Sequence, residues 1–234
     1  MAVSHPTLHL RPSADLAERV LLPGDPGRAL RLAQQLIEGP KMFNHHRGLW
    51  GYSGPAIGDG APLTIQSTGM GGPSAAIVIE ELLMLGARRL VRLGTCGALT
   101  GGHRLGEVIV VEGALCEDGA SRALGAEGVA VPDPELLAAL RSGAGDARSG
   151  VVASHDLFYD PDPERARRWV RAGAAAVEME CAVLFALAGR HGAAAAGALA
   201  VTDLLGDGGR ERIDAEGLEA AEAELGRVGA AALA

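Results

Sequence analysis

Residues 65–99 constrain the fold most, because two short β-type runs there flank a helix-like segment. The runs cover residues 62–66 and 89–93, and the segment between them begins near Pro73 and Ser74, which suit a helix start. Each run is followed by small residues, at 67–72 and 94–97, where we expect loops. Loops at the carboxyl ends of such strands are where open α/β sheets bind ligands. The pattern therefore predicts an α/β fold with a ligand site at these loops.

Arg92 lies in the otherwise apolar run Leu90-Val91-Arg92-Leu93. A buried cation without a partner is costly, so Arg92 needs a fixed anion. Together with the glycines after the run, which let a ligand approach the backbone closely, Arg92 indicates half of a site for an anion and a sugar.

A second candidate anion site follows the predicted strand at residues 20–22. The turn Pro23-Gly24-Asp25-Pro26-Gly27 leads into a predicted helix at residues 28–37 that begins with Arg28. A strand, a glycine turn and a helix start can hold phosphate, although an ordinary turn explains the same residues equally well. Arg47, ahead of a predicted hairpin, is either a surface charge or an anion ligand.

Composition limits the class of protein. The 234 residues are expected to form one domain (1–234). The formal net charge of −8, with scattered basic residues, argues against nucleic acid as a partner. No apolar run reaches the length of a membrane span, and the amino terminus lacks the apolar core of a signal peptide. We therefore expect a cytoplasmic protein with three buried, reduced cysteines, Cys96, Cys116 and Cys181.

Three familiar kinds of site are excluded by spacing. The loop at residues 69–74 lacks the last glycine and the later acidic residue of a dinucleotide fingerprint, so a nicotinamide cofactor is not expected. Ser154, His155 and Asp156 are consecutive and cannot converge as a catalytic triad. The pair His45 and His46 has no third ligand at a recognisable spacing, so no metal site is expected.

The rest of the chain alternates predicted strands and helices, with polar residues at several junctions. The predicted elements are strands at 107–116, 150–153, 174–177 and 198–201, helices at 134–141, 182–189 and 214–233, a loop at 117–134 and a mobile loop at 204–210. Phe158 either packs in the core or stacks on a planar ligand. Glu178 and Glu180 either favour a helix start or bind sugar hydroxyls. Asp203 is either a helix cap or a catalytic acid at a strand end.

Taken together, the motifs LLPGDPGRA, STGMGGPSAAIVIEEL, RLGTCGAL, SHDLFY, VEMECA and VTD occur in an order that resembles the trimeric and hexameric nucleoside phosphorylases. This family includes purine nucleoside, methylthioadenosine and uridine phosphorylases. The resemblance covers the chain from about residue 9 to the last helix. It implies a single-domain, three-layer α/β/α sandwich with a central mixed β-sheet.

The resemblance also implies a role for particular residues. The phosphate-binding positions are Gly24, Arg28, Arg47, Arg92 and Thr95, with Arg47 reaching into a neighbouring subunit. The nucleoside-binding positions are His9, Met70, Phe158, Glu178, Met179, Glu180 and Asp203. His9 fits the neighbour's histidine better than His5 does. Arg92, Glu180 and Asp203 are the catalytic positions, Asp203 being the acid that protonates the departing purine.

The implied enzyme is a pentosyltransferase with inorganic phosphate as co-substrate and no metal or organic cofactor. Phosphate attacks C1′ of a nucleoside through an oxocarbenium-like sugar, giving free base and (deoxy)ribose 1-phosphate. The implied assembly is a homo-oligomer, a hexamer built as a trimer of dimers, with active sites shared between subunits. The implied metabolic role is purine salvage.

The base is less tightly constrained. Asp162 and Glu164 stand where uridine phosphorylases have a glutamine and an arginine, which favours a purine, whereas Glu216 replaces the arginine that assists the acid in purine enzymes. Arg210 or Arg212 could substitute for it. Uridine and methylthioadenosine phosphorolysis stay open as alternatives. A nucleosidase that uses water and a non-catalytic nucleoside-binding protein are the remaining candidates.

Overall fold

In the computed structural model, which describes residues 7–206 and 209–234, one large mixed β-sheet carries helices on both faces. The strands are β1 (Arg19–Pro23), β2 (Lys41–Asn44), β3 (Gly51–Pro55), β4 (Pro62–Gln66), β5 (Arg89–Ala98), β6 (Val108–Cys116), β7 (Val129–Ala130), β8 (Arg148–Ser154), β9 (Ala174–Glu178), β10 (Ala194–Gly206) and β11 (Gly209–Arg212). The helices are α1 (Pro26–Leu36), α2 (Gly72–Leu85), α3 (Gly119–Ala123), α4 (Pro134–Gly143), α5 (Arg165–Arg171), α6 (Cys181–His191) and α7 (Ala215–Leu233). The predicted α/β class is confirmed.

The sheet closes on itself around β5. Its strand order is β11-β10-β6-β8-β9-β5-β1-β4-β3-β2, and β10 also pairs with β5 in parallel register from Ala194 opposite Arg89 onward. Five strands, β5, β9, β8, β6 and β10, therefore form a ring, from which β1 to β4 extend as an open wing. Because β5 is hydrogen-bonded on both sides along much of its length, residues at its carboxyl end are held firmly.

Two cores fill the space between the sheet and its helices. One packs α2 and α6 around residues such as Phe43, Leu82 and Leu184, and the other packs α1, α4 and α7 around residues such as Leu32 and Leu225. Burial of these apolar side chains is the main stabilising term of such a fold. No helix in the described part of the chain is long and apolar enough to cross a membrane.

The carboxyl-terminal helix α7 is fastened to the sheet by two arginines. Nη1 of Arg19 in β1 donates to the carbonyl of Leu233 at 3.1 Å, and Nη1 of Arg89 in β5 donates to the same carbonyl at 2.8 Å. These bonds satisfy a carbonyl of the last helical turn, which has no partner within the helix. They fix the rotation of α7, and therefore which of its side chains reach the interior.

Several sequence predictions of local structure are wrong. The expected loop at residues 94–97 is strand, because Gly94, Thr95 and Cys96 pair with β10 and Gly97 pairs with both β10 and β9. The expected loop at 117–134 contains α3 and β7. Residues 204–206 and 209–210 of the expected mobile loop belong to the antiparallel strands β10 and β11, and residues 207 and 208 lie outside the described residues.

Asp203 does not end a strand as expected. It lies inside β10, at a point where the register against β5 shifts between Val201 and Asp203. Such a bulge redirects a side chain without ending the strand. The predicted burial of the three free cysteines is confirmed, and burial raises the pKa of the Cys96 and Cys181 thiols.

Candidate active site

A cavity of about 450 Å³ opens where the carboxyl half of β5 lies between β9 and β10. The residues predicted for the site that line it are Gly24, Arg28, Met70, Arg92, Thr95, Phe158, Glu178, Met179, Glu180 and Asp203. They come from six separate parts of the chain: the β1–α1 turn with the start of α1, the loop before α2, β5, the loop after β8, the β9–α6 junction, and β10. The small-residue motifs of the sequence therefore converge in space.

Arg92 forms the floor of the cavity and is only 5% exposed. Its Nε donates to Oε2 of Glu178 at 3.1 Å, and its Nη2 donates to Oε2 of Glu180 at 2.5 Å. The third nitrogen, Nη1, is buried and donates to none of the described residues. A buried charged donor without a partner is unusual and expensive. Arg92 is thus a buried cation whose hydrogen bonds are incomplete in this structure, which is typical of a residue that binds a ligand.

Gly94 lets this guanidinium lie flat against β5. A Cβ at position 94 would stand 2.6 Å from Nη2 of Arg92 and 2.8 Å from a methyl group of Leu199. Both distances are far below ordinary van der Waals contact, so the position requires glycine. Arg92 and Gly94 point to the same face of the strand because side chains alternate along it.

Glu178 and Glu180 have different surroundings. The side chain of Glu178 is fully buried, and its oxygens accept hydrogen bonds from Arg92, Ser154 and the backbone N–H groups of Glu180 and Cys181. Glu178 therefore holds the start of α6 and Arg92 together. Glu180 accepts from Arg92 and, at 2.5 Å, from the backbone N–H of Gly71.

The charges of this group influence one another strongly. Burial raises the pKa of Glu180 above its ordinary value, and the nearby charge of Glu178 adds to that shift, while Arg92 opposes it. Burial disfavours the charge of Arg92, but Glu180 and Glu178 together raise the pKa of its guanidinium. Arg92 thus stays cationic and remains able to bind an anion.

Arg28 brings a second guanidinium to the same cavity. It lies in the first turn of α1, where Oδ1 of Asp25 caps the helix by accepting from the backbone N–H of Arg28 at 2.6 Å. Its side chain is buried, with Nε bonded to Glu222 at 2.8 Å and Nη1 bonded to the carbonyl of Leu93 at 3.2 Å. Arg28 and Arg92 therefore face one space, together with Gly24 and Thr95.

The opposite end of the cavity is built on the β10–β11 hairpin. Oδ1 of Asp203 accepts from Nε of Arg210 at 2.6 Å and from Nη1 of Arg212 at 3.1 Å, and Oδ2 accepts from the Thr202 hydroxyl at 2.9 Å. The guanidinium carbon of Arg210 also lies 4.5 Å from the centre of the Phe158 ring, a cation–π contact. Arg210 thus connects Asp203 to Phe158.

These partners keep Asp203 ionised. Burial on its own would raise the pKa of Asp203, but the hydrogen bonds from Arg210 and Thr202 and the positive charges of Arg210 and Arg212 outweigh burial and lower it. The carboxyl group therefore carries no proton at neutral pH while Arg210 is in place.

Two predicted residues lie away from this cavity. His9 bonds through Nδ1 to Oε1 of Glu81 at 2.8 Å and is not part of the lining. Arg47 is exposed and has a φ of 58°, which is unusual for a residue other than glycine. His5, the other histidine considered, lies outside the described residues. Among those residues, no cluster of three or more His, Cys, Asp or Glu could hold a metal ion.

Sequence reasoning missed two residues that shape the site. Glu222 of α7 supports Arg28 from a helix that showed only an amphipathic pattern. His155 lines the cavity beside Phe158, with its ring edge-to-face against Trp169 at 5.0 Å between centroids. Neither has a sequence signal of its own, since each acts through a contact between elements that are distant along the chain.

The fold and the two cavity arginines, Arg28 and Arg92, agree with the comparison to known protein families. A family model described as the phosphorylase superfamily matches residues 18–234. The chain therefore belongs to the phosphorylase superfamily.

Individual relatives cover most of the chain. A DeoD-type purine nucleoside phosphorylase of Caldanaerobacter subterraneus subsp. tengcongensis is 36% identical, the match covering 82% of this chain and 84% of that protein. A DeoD-type purine nucleoside phosphorylase of Jannaschia sp. is 38% identical, with 85% and 88% covered. A guanosine phosphorylase of Halorubrum lacusprofundi is 40% identical, with 81% and 79% covered.

Proposed function

We propose that this protein is a pentosyltransferase that cleaves purine nucleosides with inorganic phosphate, releasing free base and (deoxy)ribose 1-phosphate. The carrying observation is the shared cavity, in which Arg28 and Arg92 lie at one end and Phe158 and Asp203 at the other. The names of the relatives, purine nucleoside and guanosine phosphorylases, support the same activity and favour 6-oxopurines. No organic cofactor is needed for this chemistry.

At the arginine end, phosphate is both nucleophile and counterion. Arg28, Arg92 and Thr95, with the turn at Gly24, hold the dianion below C1′ of the sugar. An oxygen of phosphate bonds to C1′ as the C–N bond to the base breaks, and the phosphate charge stabilises the cationic sugar. Positioning and electrostatics supply the rate enhancement, since guanidinium groups bind phosphate oxygens in a fixed geometry.

Glu180 is proposed to bind the sugar hydroxyls, beside Met70 and Met179. Its oxygens already accept from Gly71 and Arg92, and a carboxylate has lone pairs left for further donors. Glu178, by contrast, is enclosed by four protein donors, so we propose that it acts on nucleoside binding by orienting Arg92 and Glu180.

At the base end, Asp203 protonates the departing purine at N7. Arg210 covers one face of the Phe158 ring. A base that stacks on this face displaces the Arg210 guanidinium. The displacement weakens the ion pair with Asp203 and raises the pKa of the carboxyl group, so that a proton is held when it is needed. Arg210, rather than the more exposed Arg212, is therefore the arginine that controls this protonation, but it acts by leaving Asp203 and so does not substitute for the missing helix arginine.

The active unit is proposed to be a homo-oligomer, a hexamer with shared sites. Neither His9 nor Arg47 lines the cavity of its own chain. Glu81 binds the His9 ring, and Asn44 holds the backbone around Arg47 by donating to the carbonyls of His46 and Leu49. Such preorganisation outside the chain's own site suits residues that complete a neighbour's site.

The deciding experiment is a substrate panel of inosine, guanosine, adenosine, methylthioadenosine and uridine, each with and without phosphate. Release of base from inosine or guanosine only when phosphate is present is the expected result. Release in phosphate-free buffer would establish a nucleosidase, and cleavage of uridine or methylthioadenosine alone would replace the purine assignment. Nucleoside binding without turnover would leave only a binding protein.

The shared site has its own test. Arg47→Ala and Asp203→Asn subunits, each of low activity alone, are mixed, denatured and refolded together. Hetero-oligomers regain activity if Arg47 of one subunit serves the Asp203-containing site of another, because some sites then carry both native residues. No recovery in assembled mixtures would place Arg47 within its own subunit's function.

A further inference from the structure

Glu222 is a buried carboxylate that stands directly behind the proposed phosphate site. It lies on the inner face of α7, is 3% exposed, and does not itself line the cavity. Oε1 accepts from Nε of Arg28 at 2.8 Å, and Oε2 accepts from Nη2 and Nε of Arg31 at 2.5 Å and 3.0 Å. Each oxygen therefore serves a different arginine of α1.

The contact with Glu222 sets which edge of Arg28 faces the cavity. Its Nε donates to Glu222, and its Nη1 donates to the carbonyl of Leu93 in β5. Nη2 donates to no residue in the described part of the chain. Because a guanidinium is planar, two bonds to fixed partners determine its plane. The remaining nitrogen, Nη2, therefore has a fixed direction.

Arg31 shares the charge of Glu222. It bonds to the second oxygen of that carboxylate and also lies 3.9 Å from Oδ1 of Asp25, so these four side chains are formally neutral. Arg28 is the arginine of this group that lines the cavity, so an anion there meets its guanidinium, while the charge of Glu222 is divided between Arg28 and Arg31.

We propose that Glu222 is a positioning residue for phosphate binding and acts through Arg28. The inference rests on the proposed phosphorolytic function and deepens it, since it assigns the helix α7 to the phosphate end of the site. Without the carboxylate, Arg28 keeps its charge but samples several rotamers, and ordering them on binding costs affinity.

The direct test compares Glu222→Gln with Glu224→Gln in the intact enzyme. Both remove one negative charge from α7, but Glu224 is half-buried and, among the residues that the structure describes, it pairs with Arg227 on the same helix and not with Arg28. Glu222→Gln is expected to raise the KM for phosphate about tenfold while leaving the KM for the nucleoside within about twofold. Glu224→Gln is expected to change neither. An equal rise in both KM values for Glu222→Gln would overturn the proposal.

A double-mutant cycle separates positioning from a merely structural role. In an Arg28→Gln background, Glu222→Gln should add less than about twofold to the phosphate KM, because its route of action is already lost. Multiplication of the two effects would show that Glu222 acts elsewhere. Glu222→Asp, which keeps the charge but shortens the reach, should give an intermediate phosphate KM, and it serves in the cycle if the glutamine variant does not fold.

The measurements also distinguish a failure of the proposed function from a failure of the proposed role of Glu222. If the unmodified enzyme shows no phosphate-dependent turnover of any nucleoside, the proposed function fails. If that turnover is present and all Glu222 variants keep the native phosphate KM, the function stands and the positioning role is refuted.

Discussion

The two ends of the cavity are built in opposite ways. At the arginine end, Arg28 and Arg92 are almost entirely buried. Two carboxylates hold Arg92, and a carboxylate and a backbone carbonyl on separate elements hold Arg28. At the base end, Phe158 is 51% exposed, and Asp203 is held by two arginines on a hairpin strand whose four residues are all exposed.

The difference indicates which end of the cavity has its binding geometry in place before substrate arrives. Phosphate is small and does not vary, so its binding site does not have to adapt to different ligands. A rigid site then binds phosphate without the entropy cost of ordering its side chains. In the proposed mechanism the base end must change its state during turnover, because Asp203, the proposed acid, is ionised in the resting structure. Contacts at an exposed hairpin can exchange, whereas a buried ion pair cannot be opened without a large penalty.

Arg92→Ala tests the rigid end most severely. We expect kcat/KM for phosphate to fall about 10³-fold, since the central anion ligand is lost. Glu178 and Glu180 would then be buried side by side without a cation, which should cost about 3–5 kcal/mol of folding free energy. Steady-state kinetics and chemical denaturation measure both. Unchanged phosphate affinity would remove Arg92 from the anion site.

Asp203→Asn tests the adjustable end. Purine nucleoside cleavage should fall about 10²-fold or more, because an amide cannot deliver the proton. Nucleosides whose base leaves without protonation should be spared. Assays on inosine and on a nucleoside with a good leaving group give the ratio, and equal losses on both would exclude the role of general acid.

Gly94→Ala tests how far the rigid end depends on one missing methyl group. The added Cβ would press against the Arg92 guanidinium, which cannot retreat without breaking its bonds to Glu178 and Glu180. The KM for phosphate should rise about tenfold with little change for the nucleoside. Gly101→Ala, where a Cβ meets open space, is the matched control and should behave as the unmodified enzyme.

Arg210→Gln tests the coupling at the base end by its pH dependence. Activity that requires protonated Asp203 falls as the pH rises through the pKa of that carboxyl group. Removing Arg210 removes the interactions that lower this pKa, so the falling limb of kcat/KM for inosine should move to higher pH.

Arg212→Gln is the comparison variant for this shift. Because Arg212 lies farther from Asp203 and is more exposed, it should move the limb less. A movement to lower pH in the Arg210 variant would contradict the mechanism.

The sequence sufficed for those parts of the molecule that are local. The α/β class follows from alternating short apolar runs and helix-like segments. The small-residue motifs that contain Gly24, Met70 and Thr95 marked three parts of the chain that line the cavity. Arg92 could be recognised because a cation in an apolar strand needs an anion.

Other features could not be read from the sequence because they arise from contacts between distant elements. The strand character of residues 94–97 depends on pairing with β10 and β9, which overrides the local preference of two glycines. The contacts of Arg210 and Arg212 with Asp203 depend on the pairing of β11 with β10. Glu222 looked like any other glutamate of an amphipathic helix until α7 was placed against Arg28.

The fastening of α7 has a consequence for how the protein is made. Glu222, and the helix end that Arg19 and Arg89 hold, lie downstream of every strand of the sheet. While the chain emerges from the ribosome, all strands are synthesised before Arg28 acquires its carboxylate. A nascent chain stopped before α7 would leave the buried Nε of Arg28 without its carboxylate partner, so the proposed phosphate site would be incomplete however complete the sheet.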